Sequence, residues 1–262
     1  MINKNYEIKN RNIILTGATG KLGINYVDSF VECGAKIICI DINKNKLNTL
    51  KVKYKDKVEI FNADVTNKDK LLEVSNELIN KKIQINALIN NAAGQQTTVF
   101  DGEVTNFENY PLSAWEEEIN IDLTGSFLCC QIFSKNFDDK NMSSIINISS
   151  TYGLVAADQR IYGDSGLNSS AAYATTKSGI IGLTKYLASY WQGKNIKVNA
   201  IAPAGVFNNQ DPEFVKRYVS KTMLKRMATP EDLFGCIRFL ISDYSNFMTG
   251  STITIDGGWT AW

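Results

Sequence analysis

The chain contains no histidine. That excludes a Ser-His-Asp triad, histidine-ligated zinc and a Cys-His nucleophile pair. Any proton moved near neutral pH must travel on another group, and no metal site is expected. Cysteine is also sparse. Cys33, Cys39, Cys129, Cys130 and Cys236 include no CxxC pair, and their odd number argues against a disulfide framework. Several sit inside apolar runs, KIICID and SFLCCQIF, where cysteine behaves as a small hydrophobe. A reducing compartment follows. Charge of one sign is lacking too. With 28 Lys and Arg against 27 Asp and Glu, no surface field argues for nucleic acid or an anionic membrane. The lysines between 51 and 57 read as a solvated helix end and turn. No run approaches the ~18 apolar residues of a membrane span. The opening MINKNYEIKNRN lacks an apolar signal segment. The expectation is a soluble cytoplasmic protein.

What is present is regular. Short apolar runs occur at 12–17, 36–41, 58–64, 86–94, 144–150, 196–203 and 251–258. Most are continuous blocks of Ile, Val, Leu and Ala, the pattern of strands covered on both faces. Helical patterns fall near 21–33, 67–81, 113–137, 171–192 and 230–242. Thr66 and Ser113 stand where helix caps are expected. AWEEEINI reads as an acid-rich first turn, and Pro230 with its following acids as another start. Strand and helix alternating in this way predict an α/β fold, a parallel sheet with helices on both faces. No linker or repeat divides the chain, so 1–262 reads as one domain. Two irregular stretches, 95–112 and 151–170, follow the carboxyl ends of strands, the edge at which open α/β sheets bind ligands.

The first strand runs into TGATGKLG, with Gly17, Gly20 and Gly23 three apart where strand becomes helix. Glycine there permits a tight turn and lets backbone approach a pyrophosphate at the helix N-terminus. Residues 17–23, with Lys21 and Leu22 at the helix start, are candidate cofactor ligands. The next strand ends in Asp41, an acid placed to accept hydrogen bonds from both adenosine ribose hydroxyls and to repel a 2′-phosphate. NAD is therefore favoured over NADP, although Lys44 and Lys46 nearby weaken the preference. Asp64 ends the third strand and reads either as a helix cap or as an adenine contact. Asn91, Ala92 and Ala93, in NNAAG, are small enough to let a cofactor lie against backbone.

A group to replace histidine is found in SSAAYATTKSG. Tyr173 and Lys177 are i and i+4, so a helix puts them on one face. Free tyrosine has a pKa of about 10, and lowering it by ~2–3 units takes roughly 3–4 kcal/mol of preferential phenolate stabilisation. A nearby ammonium supplies part of that.

Taken in order, TGATGKLG, Asp41, NADV, NNAA, NISS, YATTK, VNAIAPAGV and TGSTITIDGG resemble the short-chain dehydrogenase/reductase family along nearly the whole chain. The resemblance implies a Rossmann-type, doubly wound seven-stranded parallel sheet, a nicotinamide cofactor, hydride transfer, and a homodimer or homotetramer. It implies Tyr173 as the catalytic acid/base, Lys177 as its partner, and Ser150 as the holder of the substrate oxygen. Val65 joins the adenine side. Pro203, Gly205 and Val206 line the nicotinamide, and Asn208 falls where the family often has threonine. Three features depart from the family. The glycines follow TGxxGxxG rather than TGxxxGxG. The asparagine that often completes the proton relay aligns with Asp122, while Asn120 lies two residues, about 200°, around an ideal helix. The gap from Ser150 to Tyr173 is long.

That gap, 151–170, is expected to form a polar lid offering Tyr152, Asp158, Gln159, Arg160, Tyr162, Asp164 and Asn168. Alternatively it is a solvated loop against another subunit. Residues 207–227 form a second substrate segment, whose basic residues suit a carboxylate or phosphate or else belong to an exposed amphipathic helix. FENYPLSAWEEEIN, APAGVFNNQDPEFV and DGGWTAW resemble dehydrogenases of bacterial surface-glycan or flagellin modification and of gluconate-type sugars. Trp259 and Trp262 are expected to pack a dimer interface rather than complete a neighbour's site. The reading is an NAD(H)-dependent oxidoreductase of a small, polar, sugar-like alcohol or ketone. A non-catalytic NAD-binding regulator and a reductase of acyl-chain or aromatic ketones remain as alternatives.

Overall fold

Uninterrupted apolar runs need cover on both faces, and here they have it. The computed structural model describes residues 8–94, 97–100, 102–138 and 140–262; residues 1–7 of the segment read for a signal lie outside them. Strands β1 (Asn12–Thr16), β2 (Lys36–Asp41), β3 (Val58–Asn62) and β4 (Ala87–Asn90) are followed by a two-residue hairpin, β5 (Val99–Phe100) and β6 (Glu103–Val104). Strands β7 (Ser143–Ile148), β8 (Ile196–Pro203) and β9 (Thr252–Ile255) complete the set. Seven of the nine form one sheet in the order β3-β2-β1-β4-β7-β8-β9, every pairing parallel. This is the Rossmann-type doubly wound sheet expected.

Side chains alternate across the sheet, so one strand feeds two cores. Ile13 and Leu15 join Tyr26 and Phe30 of helix α1 (Lys21–Glu32) and Leu233, Ile237 and Leu240 of helix α8 (Glu231–Ile241). Ile14, between them, joins the opposite core. There it meets Leu71 and Leu78 of helix α3 (Lys68–Asn80), Phe133 of helix α5 (Gly125–Phe133) and Leu187 of helix α6 (Ala171–Tyr190). The five cysteines are all free thiols, and Cys39, Cys129 and Cys130 are buried, in keeping with their reading as small hydrophobes. No described helix is long and apolar enough to cross a membrane.

The chain turns left from β1 to β2 and β3, then returns to the other side of β1 through β4. The connections after β1 and β4 therefore diverge. That leaves a crevice at the carboxyl ends of the strands, where α/β sheets bind ligands.

Three details differ from the sequence reading. Helix α4 (Leu112–Glu118) starts after Pro111, so its acids lie in the second turn, not the first. The helix expected over 113–137 is interrupted by a π-helical turn, Ile119–Thr124, before α5. Helix α2 (Lys44–Tyr54) buries only Leu47 and Leu50, too faint a pattern to stand out. Its last turn and the 3₁₀ turn Lys55–Lys57 are the lysine cluster.

Candidate active site

The glycine turn is tight because nothing larger fits. Gly17 has φ +62°, and a Cβ there would lie 2.8 Å from Ala92 Cα. A Cβ on Gly23 would lie 2.1 Å from the Gly17 carbonyl oxygen, so Gly23 allows α1 to pack on the turn and does not line the cavity beyond it. Gly20 is the N-cap of α1 with no side-chain cap. The first N–H groups of the helix are thus left for an anionic ligand, with the helix dipole behind them. The turn is braced from β4. Thr16 Oγ1 accepts from the Asn91 and Ala92 N–H groups (3.0 and 3.1 Å), and Asn91 Nδ2 donates to the Thr16 and Gly17 carbonyls (3.1 and 3.2 Å). The Asn91 side chain therefore holds the turn.

Asp41 is buried at the end of β2. Its Oδ2 accepts from Thr19 N–H and its Oδ1 from Asn43 N–H, both at 2.9 Å. These bonds fix the carboxylate at the cavity wall and leave each oxygen a second lone pair. Of the two nearby lysines, Lys46 lines the cavity. Asp64 Oδ1 accepts from Thr66 N–H and Oγ1 (2.8 Å each). The cap of α3 is Asn67, accepting from Lys70 N–H, rather than Thr66 or Asp64. All the candidate residues except Gly23 line one cavity of about 1390 Å³.

At the other end of this cavity β7 and α6 bring Ser150, Tyr173 and Lys177 together. Ser170 caps α6: its Oγ accepts from Tyr173 N–H (2.9 Å) and donates to Glu118 Oε2 (2.8 Å). The Ser150 hydroxyl acts on the Tyr173 phenol in favour of phenolate, and its Oγ accepts from Tyr152 N–H (3.2 Å). Lys177 is buried, with Nζ 5.4 Å from the centre of the Tyr173 ring, 3.4 Å from the Ile148 carbonyl oxygen and 2.8 Å from Asp122 Oδ2. Asp122 Oδ1 also accepts from Gly94 N–H (2.7 Å). The π-helical turn aims Asp122, not Asn120, at Lys177. Asn120 is exposed, and its carbonyl accepts from Gly125 N–H.

The electrostatics are less one-sided than a Tyr-Lys pair in isolation. Burial pushes the Tyr173 phenol up, while the Lys177 ammonium and the Ser150 hydrogen bond pull it down and the Asp122 and Glu118 carboxylates push it up; the balance is upward. Burial works against the charge of Lys177, but Asp122 and Tyr173 hold its pKa above the ordinary lysine value. Asp122 thus keeps Lys177 charged and at the same time offsets its pull on the phenol.

The sequence reading placed Glu118 in an acid-rich first turn and gave it no further role. It is 2% exposed, one turn before Asp122, and its Oε1 has no partner. Burial pushes its carboxyl up to about 7, Asp122 adds to this, and the Ser170 hydrogen bond opposes it. The folded value lies above the unfolded one. The folded chain therefore keeps a proton that the unfolded chain releases, and this stability is present below about pH 4.3 and lost as pH rises through 7. Glu118→Gln should remove that slope. The wild type should lose about 2–3 kcal/mol relative to the variant between pH 5 and pH 8, read from urea unfolding at the two pH values. Equal slopes would contradict the buried, proton-sharing carboxyl.

The lid is less polar on its inner side than its composition suggests. Asp158 is held by Arg160 (2.8 Å) and by Lys221 (3.0 Å) of helix α7 (Pro212–Lys221). Gln159 bonds both backbone groups of Ser169 (2.8 and 3.3 Å), and Asn168 N–H donates to Thr98 Oγ1 (3.1 Å). Ile161 is buried in a cluster with Ala204, Tyr218, Met227 and Trp259. Tyr152 sits edge-on to both Tyr173 and Trp259 (centroids 6.5 and 6.3 Å), and Trp259 packs on Tyr218 at 4.5 Å. Trp259 therefore packs behind Tyr152 and Tyr218 within this chain and does not itself line the cavity. Trp262 is exposed and donates Nε1–H to the Lys221 carbonyl (2.7 Å).

Sheet order, glycine turn, strand-end acid and Ser-Tyr-Lys grouping together define a nicotinamide-dependent dehydrogenase fold. Residues 17–260 match the family model described as enoyl-(acyl carrier protein) reductase. The post-translational flagellin modification protein A of Campylobacter coli is 30% identical over 96% of this chain and 99% of its own. The 3-oxoacyl-[acyl-carrier-protein] reductase of Thermotoga maritima is 33% identical over 94% and 96%. The NAD-dependent glycerol dehydrogenase of Listeria innocua is 26% identical over 98% and 96%. Among solved structures, a short-chain dehydrogenase from Leptospira borgpetersenii with bound NAD+ is 36% identical, with TM-score 0.86 over 99% of this chain and 97% of that one. The chain belongs to the short-chain dehydrogenase/reductase family, whose members are nicotinamide-dependent oxidoreductases.

Proposed function

We propose that the protein is an NAD(H)-dependent dehydrogenase of a small carbohydrate-like alcohol or ketone, with Tyr173 as its acid/base. The observation that carries this reading is the convergence of Ser150, Tyr173 and Lys177 on a cavity whose other end is the glycine turn and Asp41. The residues fit a dinucleotide. Gly20 leaves the N-terminus of α1 uncapped, and Asp41 turns fixed oxygens to the cavity. Gly17, Gly20, Lys21 and Leu22 would take the pyrophosphate, Asp41 the ribose, and Asp64 and Val65 the adenine, with Gly23 only letting α1 pack on the turn. Ala92, Ala93, Pro203, Gly205 and Val206 would take the nicotinamide side. Bound there, a nicotinamide dinucleotide supplies the hydride donor or acceptor and, when oxidised, a positive charge.

The chain's own part is proton transfer and orientation. The Ser150 hydroxyl holds the substrate oxygen beside Tyr173. As phenolate, Tyr173 takes the alcohol proton during oxidation, and as phenol it gives that proton to the substrate oxygen during reduction. Lys177 stabilises the phenolate, and Asp122 keeps Lys177 charged and in place. The aromatic wall of Tyr152 and Tyr218, backed by Trp259, suits the C–H face of a sugar. It equally suits an acyl or aromatic ketone, in line with the acyl-carrier reductase among the relatives. A screen of NADH formation with polyols, aldoses and sugar acids, set beside NADH consumption with acyl-chain and aryl ketones, separates the two. Turnover confined to the ketones overturns the carbohydrate reading.

Asp41 makes the cofactor choice testable. Its negative charge should repel a 2′-phosphate, with Lys46 at the rim of the cavity opposing it in part. Asp41→Ser should lower kcat/KM with NAD by about 10–100-fold and narrow its margin over NADP, as expected for loss of charged hydrogen bonds. Unchanged selectivity would remove Asp41 from the ribose site. The five unpaired thiols favour a reducing, cytoplasmic setting. Phe127, Tyr186 and Tyr190, exposed on α5 and α6, support the homodimer or homotetramer, which sedimentation velocity measures.

A further inference from the structure

We infer that the cavity contains an anion subsite built on Arg217, so that the substrate is a carbohydrate-like molecule bearing a carboxylate or a phosphate. This rests on the function proposed above and narrows its substrate.

Arg217 lies on α7 between two anchored aromatics. Phe214 packs on Tyr162 of the lid with ring centres 5.4 Å apart. Tyr218 packs on Trp259, and its hydroxyl accepts from Gly205 N–H at 2.5 Å. Both contacts hold that face of α7 at the cavity, which Arg217 itself lines. The guanidinium has a seat in the lid backbone. It lies over Gly163, where a Cβ would come 2.3 Å from Nη1 and 2.4 Å from Cζ. Gly163 has φ 58° and ψ −135°, a conformation that favours glycine on its own account. Any other residue at 163 would displace the arginine head.

Once seated, the guanidinium has no partner among the described residues: no carboxylate lies within 4.0 Å of it and no hydrogen bond engages its nitrogens, while the Arg217 carbonyl accepts from Ser220 Oγ (2.7 Å). The acids nearby are otherwise engaged. Asp158 pairs with Arg160 and Lys221, and Asp211 Oδ1 caps α7 by accepting from the Glu213 and Phe214 N–H groups (2.9 and 3.1 Å). Asp164 also lines the cavity but is exposed and beyond ion-pair distance.

A planar fork of five donors matches the two oxygens of a carboxylate or phosphate. Against an apolar wall, such a pair gains more than it would in bulk water. An arginine serving only as a solvated surface charge would need neither the glycine seat nor the aromatic clamps.

The test is calorimetric titration of the protein saturated with NADH, with which an alcohol cannot react. The probes are a panel of stereoisomeric aldonates including gluconate, hexose 6-phosphates including glucose 6-phosphate, and the matching neutral hexitols. At least one anionic class should bind about tenfold or more tighter than its neutral counterpart, and the aldonate and phosphate arms identify which anion is read. Arg217→Gln should remove that margin, a loss of about 10–100-fold for the anion, with neutral ligands and NADH affinity unchanged. Arg217→Lys, which keeps the charge without the fork, should retain part of it and guards against a misfolded glutamine variant. Anions binding no better than hexitols, or a preference that survives Arg217→Gln, overturns the subsite. Anion binding without turnover by NAD+ leaves the subsite standing and sinks the dehydrogenase reading. Turnover of neutral polyols at rates indifferent to Arg217→Gln does the reverse.

Discussion

Tyr173→Phe is expected to lower kcat by about 10²–10⁴-fold while leaving NADH affinity within a factor of two to three, the range for removing a general acid/base. The change deletes one oxygen. The ring's edge-on contact with Tyr152 and the helix cap at Ser170 do not depend on that oxygen, so the fold should persist. What disappears is the hydroxyl that carries the proton. Ser150 alone can orient a substrate oxygen but has no way to hold its proton near neutral pH. Absorbance of NADH in steady state measures the loss, and fluorescence titration with NADH checks the binding site. A rate within tenfold of wild type would show that the proton leaves by another route.

Asp122→Asn should move the pH dependence of alcohol oxidation towards acid by about one unit, the scale of removing one nearby charge. The sign follows from the ion pair. Asp122 lies 2.8 Å from Lys177 and offsets part of its charge, and it also raises the Tyr173 phenol directly. Neutralising it leaves the ammonium free to favour phenolate, so the base form of Tyr173 is reached at lower pH. Asp122→Ala goes further, because it leaves a buried ammonium with no carboxylate. Breaking a buried pair in this way costs about 3–5 kcal/mol, which should appear as a large drop in the urea midpoint. A pH profile that stays in place in the asparagine variant would mean that Asp122 acts only on stability.

How much of this site could be read from sequence depended on whether a signal is local. The glycine turn, Asp41 and the Tyr-Lys pair are motifs of a few residues whose geometry is set by one turn or one helix, so they were legible. The Asp122 question was not. Its outcome rests on a π-helical turn at Ile119–Thr124, which shifts the register of every later side chain. Glu118 was misread for a related reason. Acids in a helix are usually solvated, and only the packing of α4 against the Ser170 end of α6 buries this one. The lid was polar by composition, yet its polar groups close on one another and on α7, partners 10 to 70 residues away.

Alternation of buried strands with amphipathic helices was enough to dictate a doubly wound sheet, because hydrophobic periodicity and right-handed crossovers leave few other ways to cover both faces. The lack of histidine was likewise enough to assign proton transfer to another side chain. Sequence could not say which face of a distorted helix meets Lys177, or that Trp259 packs behind Tyr152 and Tyr218 of its own chain. Nor could it say that Arg217 stands over Gly163, 54 positions earlier in the chain. Those are contacts between elements far apart in the chain, and they exist only once the two cores and the lid have closed around the crevice.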